Sequence, residues 1–204
     1  MKKNYSIWIF VAAVVLLPMG VFAIVKWYEN RFTQLPIMGG SGHVIEDFTM
    51  LNHHGSTTSG ADWTNKIVIA DFFFTHCPSI CPKMTRSMKS IQQANFNQSD
   101  LQLFSITVDP ERDDVARLNA YAKNMDIKGN WELLTAEKKK IYKLARNSFK
   151  VVATDGDGGP DDFIHSELLV LIDKQKRIRG YYNGTLPGEV EALLKDIERL
   201  RREY

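Results

Sequence analysis

Asp71-Phe-Phe-Phe-Thr-His-Cys-Pro-Ser-Ile-Cys-Pro-Lys-Met84 carries the only two cysteines of this 204-residue chain, Cys77 and Cys81. An apolar run from Ile67 to Phe74 leads into it, interrupted by Asp71 alone. A run without polar alternation reads as a central parallel strand, covered on both faces. Each cysteine is followed by a proline, and from Pro82 to about Asn95 the residues Met84, Met88 and Ile91 recur at helical spacing. A strand-to-helix junction of this kind sets two sulfurs at the mouth of a sheet, beside the N–H groups of a helix N-terminus. Their four-residue spacing puts both on one side of a turn. Such a pair can close a disulfide or grip one soft metal ion.

The rest of the chain supplies alternating strands and helices around that junction. Phe48 to Leu51 reads as a short strand, and Asn52-His-His-Gly55 as a turn into a second one. Leu101 to Val108 is another apolar strand, ended by Asp109-Pro110. Asp113 and Asp114 then place negative charge on the first turn of a helix through about Met125, with Val115, Leu118 and Ala122 at helical spacing. Trp131 to Leu134 is a short strand, and Thr135 is placed to cap the next helix, which carries Ile141, Leu144 and Ala145. Thr154 to Asp161 is a loop by its density of Gly, Asp and Pro. The strands Glu167–Ile172 and Arg177–Tyr182 form a hairpin, and a helix opens at Leu186-Pro187 with Val190, Leu193, Ile197 and Leu200 along one stripe. The order predicts an α/β, thioredoxin-like fold, a central mixed sheet with helices on both faces.

Ahead of this domain lies an uncharged stretch, Ile7 to Val25. Its nineteen residues, at about 1.5 Å each, span nearly the ~30 Å hydrocarbon core of a bilayer. Lys2 and Lys3 precede it, which keeps the N-terminus cytoplasmic and sends the remainder across the membrane. The expected organisation is a cytoplasmic N-terminus over 1–6, a transmembrane helix over 7–25, a linker over 26–42 and an extracytoplasmic domain over 43–204. A cleaved signal peptide is the competing reading, because Val21-Phe-Ala23 resembles a cleavage site, and it too exports the domain. A net charge of +2 without a basic stripe excludes nucleic acid as a partner. No P-loop, dinucleotide fingerprint, H-E-x-x-H or G-x-S-x-G is present.

Export changes the meaning of the cysteines. A structural disulfide is the ordinary use of a lone pair in an exported domain, but a loop of three intervening residues constrains little of the unfolded chain. Thiolates at a helix start are stabilised below the free pKa of about 8.5 and are soft ligands suited to Cu(I). A histidine could complete the site. His76 adjoins Cys77, but neighbouring side chains diverge. His53 and His54 read as solvated residues of a polar turn, and His43 belongs to the linker. His165 follows the Gly-rich loop and precedes an apolar strand, so it reads as either a functional partner of the cysteines or a hydrogen-bonded structural histidine. Met84 and Met88 have the spacing of core residues rather than thioether ligands. Asp71 is either a proton-handling group near the thiols or a paired residue at a strand edge or end.

Taken together, Thr75-His-Cys-Pro-Ser-Ile-Cys-Pro82, Val108-Asp-Pro-Glu-Arg-Asp113 and His165-Ser166 resemble the Sco/SenC family, over about Gly42 to the C-terminus. The resemblance implies a membrane-anchored, thioredoxin-like protein serving cytochrome c oxidase assembly. It implies one copper, as Cu(I) or Cu(II), held by Cys77, Cys81 and His165. It also implies delivery to the copper-receiving subunit of the oxidase, with other copper chaperones or thiol reductants as further partners. One departure stands out. Family members commonly carry an acidic residue directly before the histidine, where this chain has Ile164, with Asp161 and Asp162 upstream. The rival expectations are a metal-independent thiol-disulfide oxidoreductase acting on oxidase cysteines, and a peroxidase or redox sensor in which Cys81 resolves a sulfenic acid on Cys77.

Overall fold

The computed structural model describes residues 5–32, 34–151 and 166–204. They separate into two units, the N-terminal helix with the residues from Arg199 onward, and residues 36–198. The first helix, α1 (Tyr5–Phe32), contains the apolar stretch Trp8–Tyr28, long enough to cross a membrane. It extends past the expected boundary at Val25, so residues 26–32 are helical rather than linker. The linker is shortened from its other end as well. Within 26–42 the Met38 N–H already docks on the Ile178 carbonyl at 2.8 Å, and just past it the Ile45 N–H donates to that of Lys176 at 2.8 Å.

In the second unit the described strands form one mixed sheet, in the order β2-β1-β5-β4-β3-β6-β7. The strands are β1 (Thr49–Asn52), β2 (Thr57–Ser59), β3 (Ile67–Phe73), β4 (Leu101–Thr107), β5 (Trp131–Thr135), β6 (Leu168–Ile172) and β7 (Ile178–Asn183). The helices are α2 (Ile80–Ala94), α3 (Val115–Asn124), α4 (Lys138–Lys143), which runs into a π-turn over Leu144–Ser148, and α5 (Pro187–Arg201). At the centre β3 runs parallel to β4 from Ile67↔Leu101 to Phe73↔Thr107, and antiparallel to β6 from Val68↔Ile172 to Ala70↔Val170. Every residue of β3 and β4 is buried, as a run without alternation requires.

Alternation along β3 sorts the two faces. Val68, Ala70 and Phe72 join Phe104, Ile106, Val170, Ile141, Tyr142 and Phe149 in one cluster on the α4 side. The opposite face carries Ile69, Asp71 and Phe73. There the Phe73 ring meets Tyr121 of α3 at 5.5 Å, and the Tyr121 hydroxyl bonds Thr85 of α2 at 3.0 Å. Met84, Met88 and Ile91 form the buried stripe of α2, each fully enclosed, as their spacing predicts. Thr135 does not cap α4. It is the last residue of β5, and Glu137 occupies the cap position without a side-chain bond. Of the adjacent tyrosines, Tyr182 is buried with its hydroxyl on Asp196, while Tyr181 on the other face reaches the Phe149 carbonyl.

Candidate metal centre

The site begins where β3 runs out. The Phe73 carbonyl accepts from the Val108 N–H at 2.8 Å, and the chain then turns at Thr75. A fully buried carboxylate, Asp113, holds that turn. It accepts from the Thr75 N–H (3.0 Å), the Thr75 hydroxyl (2.5 Å) and the Thr107 hydroxyl (2.7 Å). Three donors are what a carboxylate removed from water needs. Asp113 therefore does not serve as helix-end charge, the role its position suggested. The helix cap is Asp114, whose side chain accepts from the Arg117 N–H at 2.7 Å. The pentad Asp109–Asp113 thus closes a tight turn, with the Asp113 N–H on the Asp109 carbonyl, and sends one carboxylate inward to tie the ends of β3 and β4 together.

Beyond Thr75, Cys77 lies in the loop just before α2 and Cys81 on the helix's first turn. Cys77 is half-buried, Cys81 is buried, and both are free thiols. Ser79 makes no side-chain cap, and the Cys81 N–H instead donates to the Cys77 Sγ at 3.3 Å. The pair is electrostatically unequal. Burial pushes the Cys77 thiol up, but the N–H groups of Cys81, Ser79 and Ile80 outweigh it and hold the thiol below its ordinary range. Burial pushes Cys81 up to about 12, reinforced by the charges of Cys77 and Asp71. The outer sulfur is poised to react or ligate first, and the inner one is shielded.

Asp71 is neither at an edge nor at an end. It sits mid-strand in a central strand, with a carboxyl that accepts from Ser105, whose hydroxyl in turn accepts from the Trp131 indole at 3.0 Å. Burial, only partly offset by the Ser105 bond, raises its pKa to about 7.

The histidines separate by environment. His53 is 2% exposed, contrary to its reading as a solvated turn residue: its Nδ1 accepts the Leu133 N–H at 3.1 Å, and its carbonyl accepts from Asn119. The polar look of the turn misled, because Gly55 at φ +82° and the Asn52 side chain fold it tightly back over β5. The His54 ring lies 3.9 Å from that of His53, tilted by 41°, and His43 bonds the Ser148 carbonyl at 2.7 Å. His76 is exposed and bonded to Thr75 and Arg117. His165 lies outside the described residues, as do Ile164, Asp161 and Asp162. Among the described residues no three His, Cys, Asp or Glu side chains converge as a metal site. Sequence reasoning missed the clamping role of Asp113 and the contribution of Arg117. The density of charge in Asp109–Asp113 was the only hint.

A family model described as SCO1/SenC matches residues 38–202. This chain belongs to the SCO1/SenC family. A SCO1 protein homolog of Bacillus subtilis is 30% identical over 157 residues, covering 76% of this chain and 81% of that protein. Among solved structures, a SCO1/SenC family lipoprotein from Bacillus anthracis is 28% identical, covering 81% of this chain and 99% of that one, with a TM-score of 0.70. A second, BsSco, is described as having a disulfide switch and as a member of the Sco family of cytochrome c oxidase assembly proteins. It is 29% identical and covers 79% of this chain and 95% of its own, with a TM-score of 0.66. A third, ScoI of Bradyrhizobium japonicum with copper bound, is 26% identical over 74% of this chain and 98% of that one, with a TM-score of 0.60. These neighbours carry the same fold, a thioredoxin-like mixed sheet flanked by helices.

Proposed function

We propose that this chain is a membrane-anchored copper chaperone, with its domain outside the cytoplasm, that serves assembly of cytochrome c oxidase. Copper is its cargo. Cys77 and Cys81 supply the two thiolates and His165 the third ligand. The observation that carries this reading is the unequal sulfur pair at the start of α2, with the Cys81 N–H directed at the Cys77 sulfur. Two soft donors flanking the start of one helix suit Cu(I), which accepts low coordination numbers, and an added imidazole accommodates Cu(II). The position of His165 is supported by connectivity: it stands three residues before β6, and β6 runs antiparallel to β3, the strand that leads to the cysteines. A relative of the same family binds copper. The receiving partner is then the copper-accepting subunit of the oxidase. Export is supported by Lys2 and Lys3 ahead of the apolar helix.

Copper analysis of the reduced full-length chain tests this. Cys77→Ser and His165→Ala are each expected to weaken copper binding at least tenfold, and unchanged stoichiometry and affinity in both would overturn the assignment.

A second reading is favoured by the separation of the two thiols. A low Cys77 beside a high Cys81 is the arrangement of a thiol-disulfide reductant. The Cys77 thiolate would attack a partner disulfide and release one partner thiolate. Cys81, losing its proton, would then displace the second, leaving Cys77–Cys81 as the disulfide. The reduction potential discriminates. A dedicated reductant belongs near −270 mV, on the order of thioredoxin, and a clearly higher value favours the chaperone.

A further inference from the structure

Next to Cys77 stands a histidine that the proposed site does not use. In a flexible loop, a neighbouring imidazole and thiolate would compete with any distant ligand for the same metal. The hydrogen bonds around His76 leave its neutral ring one tautomer. Asp113 accepts three bonds and donates none, so the single hydroxyl proton of Thr75 points at Asp113. The Thr75 oxygen can therefore only accept from its other two neighbours. One is the Arg117 Nε–H, at 3.1 Å. The other is His76 Nδ1, at 3.2 Å, which must carry the ring proton. The lone pair of the neutral ring then sits on Nε2, facing Arg117 Nη2 at 3.3 Å. A guanidinium has donors only and does not lose its charge. The nitrogen with which a neutral imidazole would bind a metal is thus already occupied.

We propose that Arg117 is a specificity-determining residue: held by the Asp113–Thr75 chain, it engages His76 and keeps it out of the coordination sphere of a metal on Cys77 and Cys81. The inference rests on the reading of those cysteines as metal ligands. Its consequence is an open coordination position beside two thiolates, available to a ligand carried on another loop or on a receiving protein. A site closed by His76 would hold its cargo with three local donors and would have no place for such an exchange. The bonds to Arg117 are solvent-exposed, so the discrimination expected from them is about tenfold.

The test uses the full chain in detergent micelles, reduced, with 15N-labelled histidine and 113Cd(II) as a thiophilic probe that undergoes no redox chemistry. Without metal, the ring shifts of His76 are expected to report the Nδ1–H tautomer, and Arg117→Met is expected to release it to a mixture. A predominant Nε2–H tautomer in the wild type would overturn the proposal. With cadmium, His165→Ala is expected to show no 113Cd–15N coupling to His76. Adding Arg117→Met to that variant should produce the coupling and raise cadmium affinity about tenfold. Coupling to His76 while Arg117 is intact, or none once Arg117 is removed, would each overturn it. Failure of the underlying site reading has its own signature: a 113Cd shift that Cys77→Ser leaves unchanged, which would overturn both.

Discussion

Two buried aspartates, one inside β3 and one just beyond the end of β6, differ in almost everything but burial. Asp71, toward the cysteine end of β3, is 2% exposed, and its carboxyl has Ser105 as its side-chain donor and no cation beside it among the described contacts. Asp173, at the far end where β6 turns into β7, is fully buried yet surrounded. It accepts from the N–H groups of Gln175 and Arg177 and from both the Arg177 and Arg179 guanidinia, at 2.7 to 3.0 Å. Burial pushes both carboxyls up. At Asp173 the arginines and backbone donors overcome it and the pKa falls, while at Asp71 the Ser105 hydroxyl and its own N–H do not, and it rises to about 7. Desolvation alone therefore does not decide charge; the donors around the group do. One end of the sheet is fastened, and the end beneath the sulfurs is left near its titration point.

Four measurements sharpen or break that contrast. Asp173→Ala leaves Arg179, 2% exposed, without its carboxylate, and should cost near the upper end of the roughly 3–5 kcal/mol seen when a buried pair loses one partner. Chemical denaturation reads it, and a loss under about 1 kcal/mol would break the contrast. Asp71→Asn comes next. Because folding raises the Asp71 pKa from 3.8 to about 7, its carboxyl favours the folded state fully below pH ~4, and that advantage is lost as pH rises through about 7. At roughly 1.4 kcal/mol per pKa unit, stability of the wild type should fall by several kcal/mol over that window relative to the variant. Parallel pH curves would show that Asp71 does not titrate there. Asp173 has the opposite sign: its pKa is depressed, so its contribution is present above the unfolded value near 4 and lost on acidification.

At the sulfurs themselves, alkylation by iodoacetamide at neutral pH should modify Cys77 at least tenfold faster than Cys81, counted by mass spectrometry of peptides. Equal rates would remove the inequality on which both functional readings draw. The smallest effect belongs to Arg177→Met. Its side chain is partly exposed, and Arg179 and two backbone N–H groups remain on Asp173, so about 1 kcal/mol is expected.

Much of this was legible from local pattern. The apolar run Ile67–Phe74, with Asp71 its one polar residue, specified a strand buried on both faces, and Met84, Met88 and Ile91 specified the face of α2, because both signals lie within one element. The cysteine junction was legible for the same reason. Asp113 and Asp173 were not. Thr75 is 38 residues from Asp113 in sequence, and nothing near Asp113 marks it as an inward rather than a helix-capping acid. His53 failed similarly: its partner is a backbone N–H of β5, 80 residues away, and the surrounding Asn, His and Gly residues carry the composition of a surface turn. Thr135 had the chemistry of a cap but was recruited into β5. His165, identified by resemblance and by its place before a strand, lies outside the described residues, so its role rests on the experiments above.

The docking of Met38 and Ile45 onto the hairpin that leads into β7 also bears on how the margin of the sheet meets its neighbours. A sheet that ends in a free strand offers its unpaired N–H and C=O groups to any neighbour, including another copy of itself. Here the start of β7 is met by the chain that leads into the domain, at the Ile178 carbonyl and at the Lys176 carbonyl in the turn before it. At the other margin β2 is only three residues long. The first residue of one margin is thus covered and the other margin is short, which reduces the open ladder that either offers a neighbour.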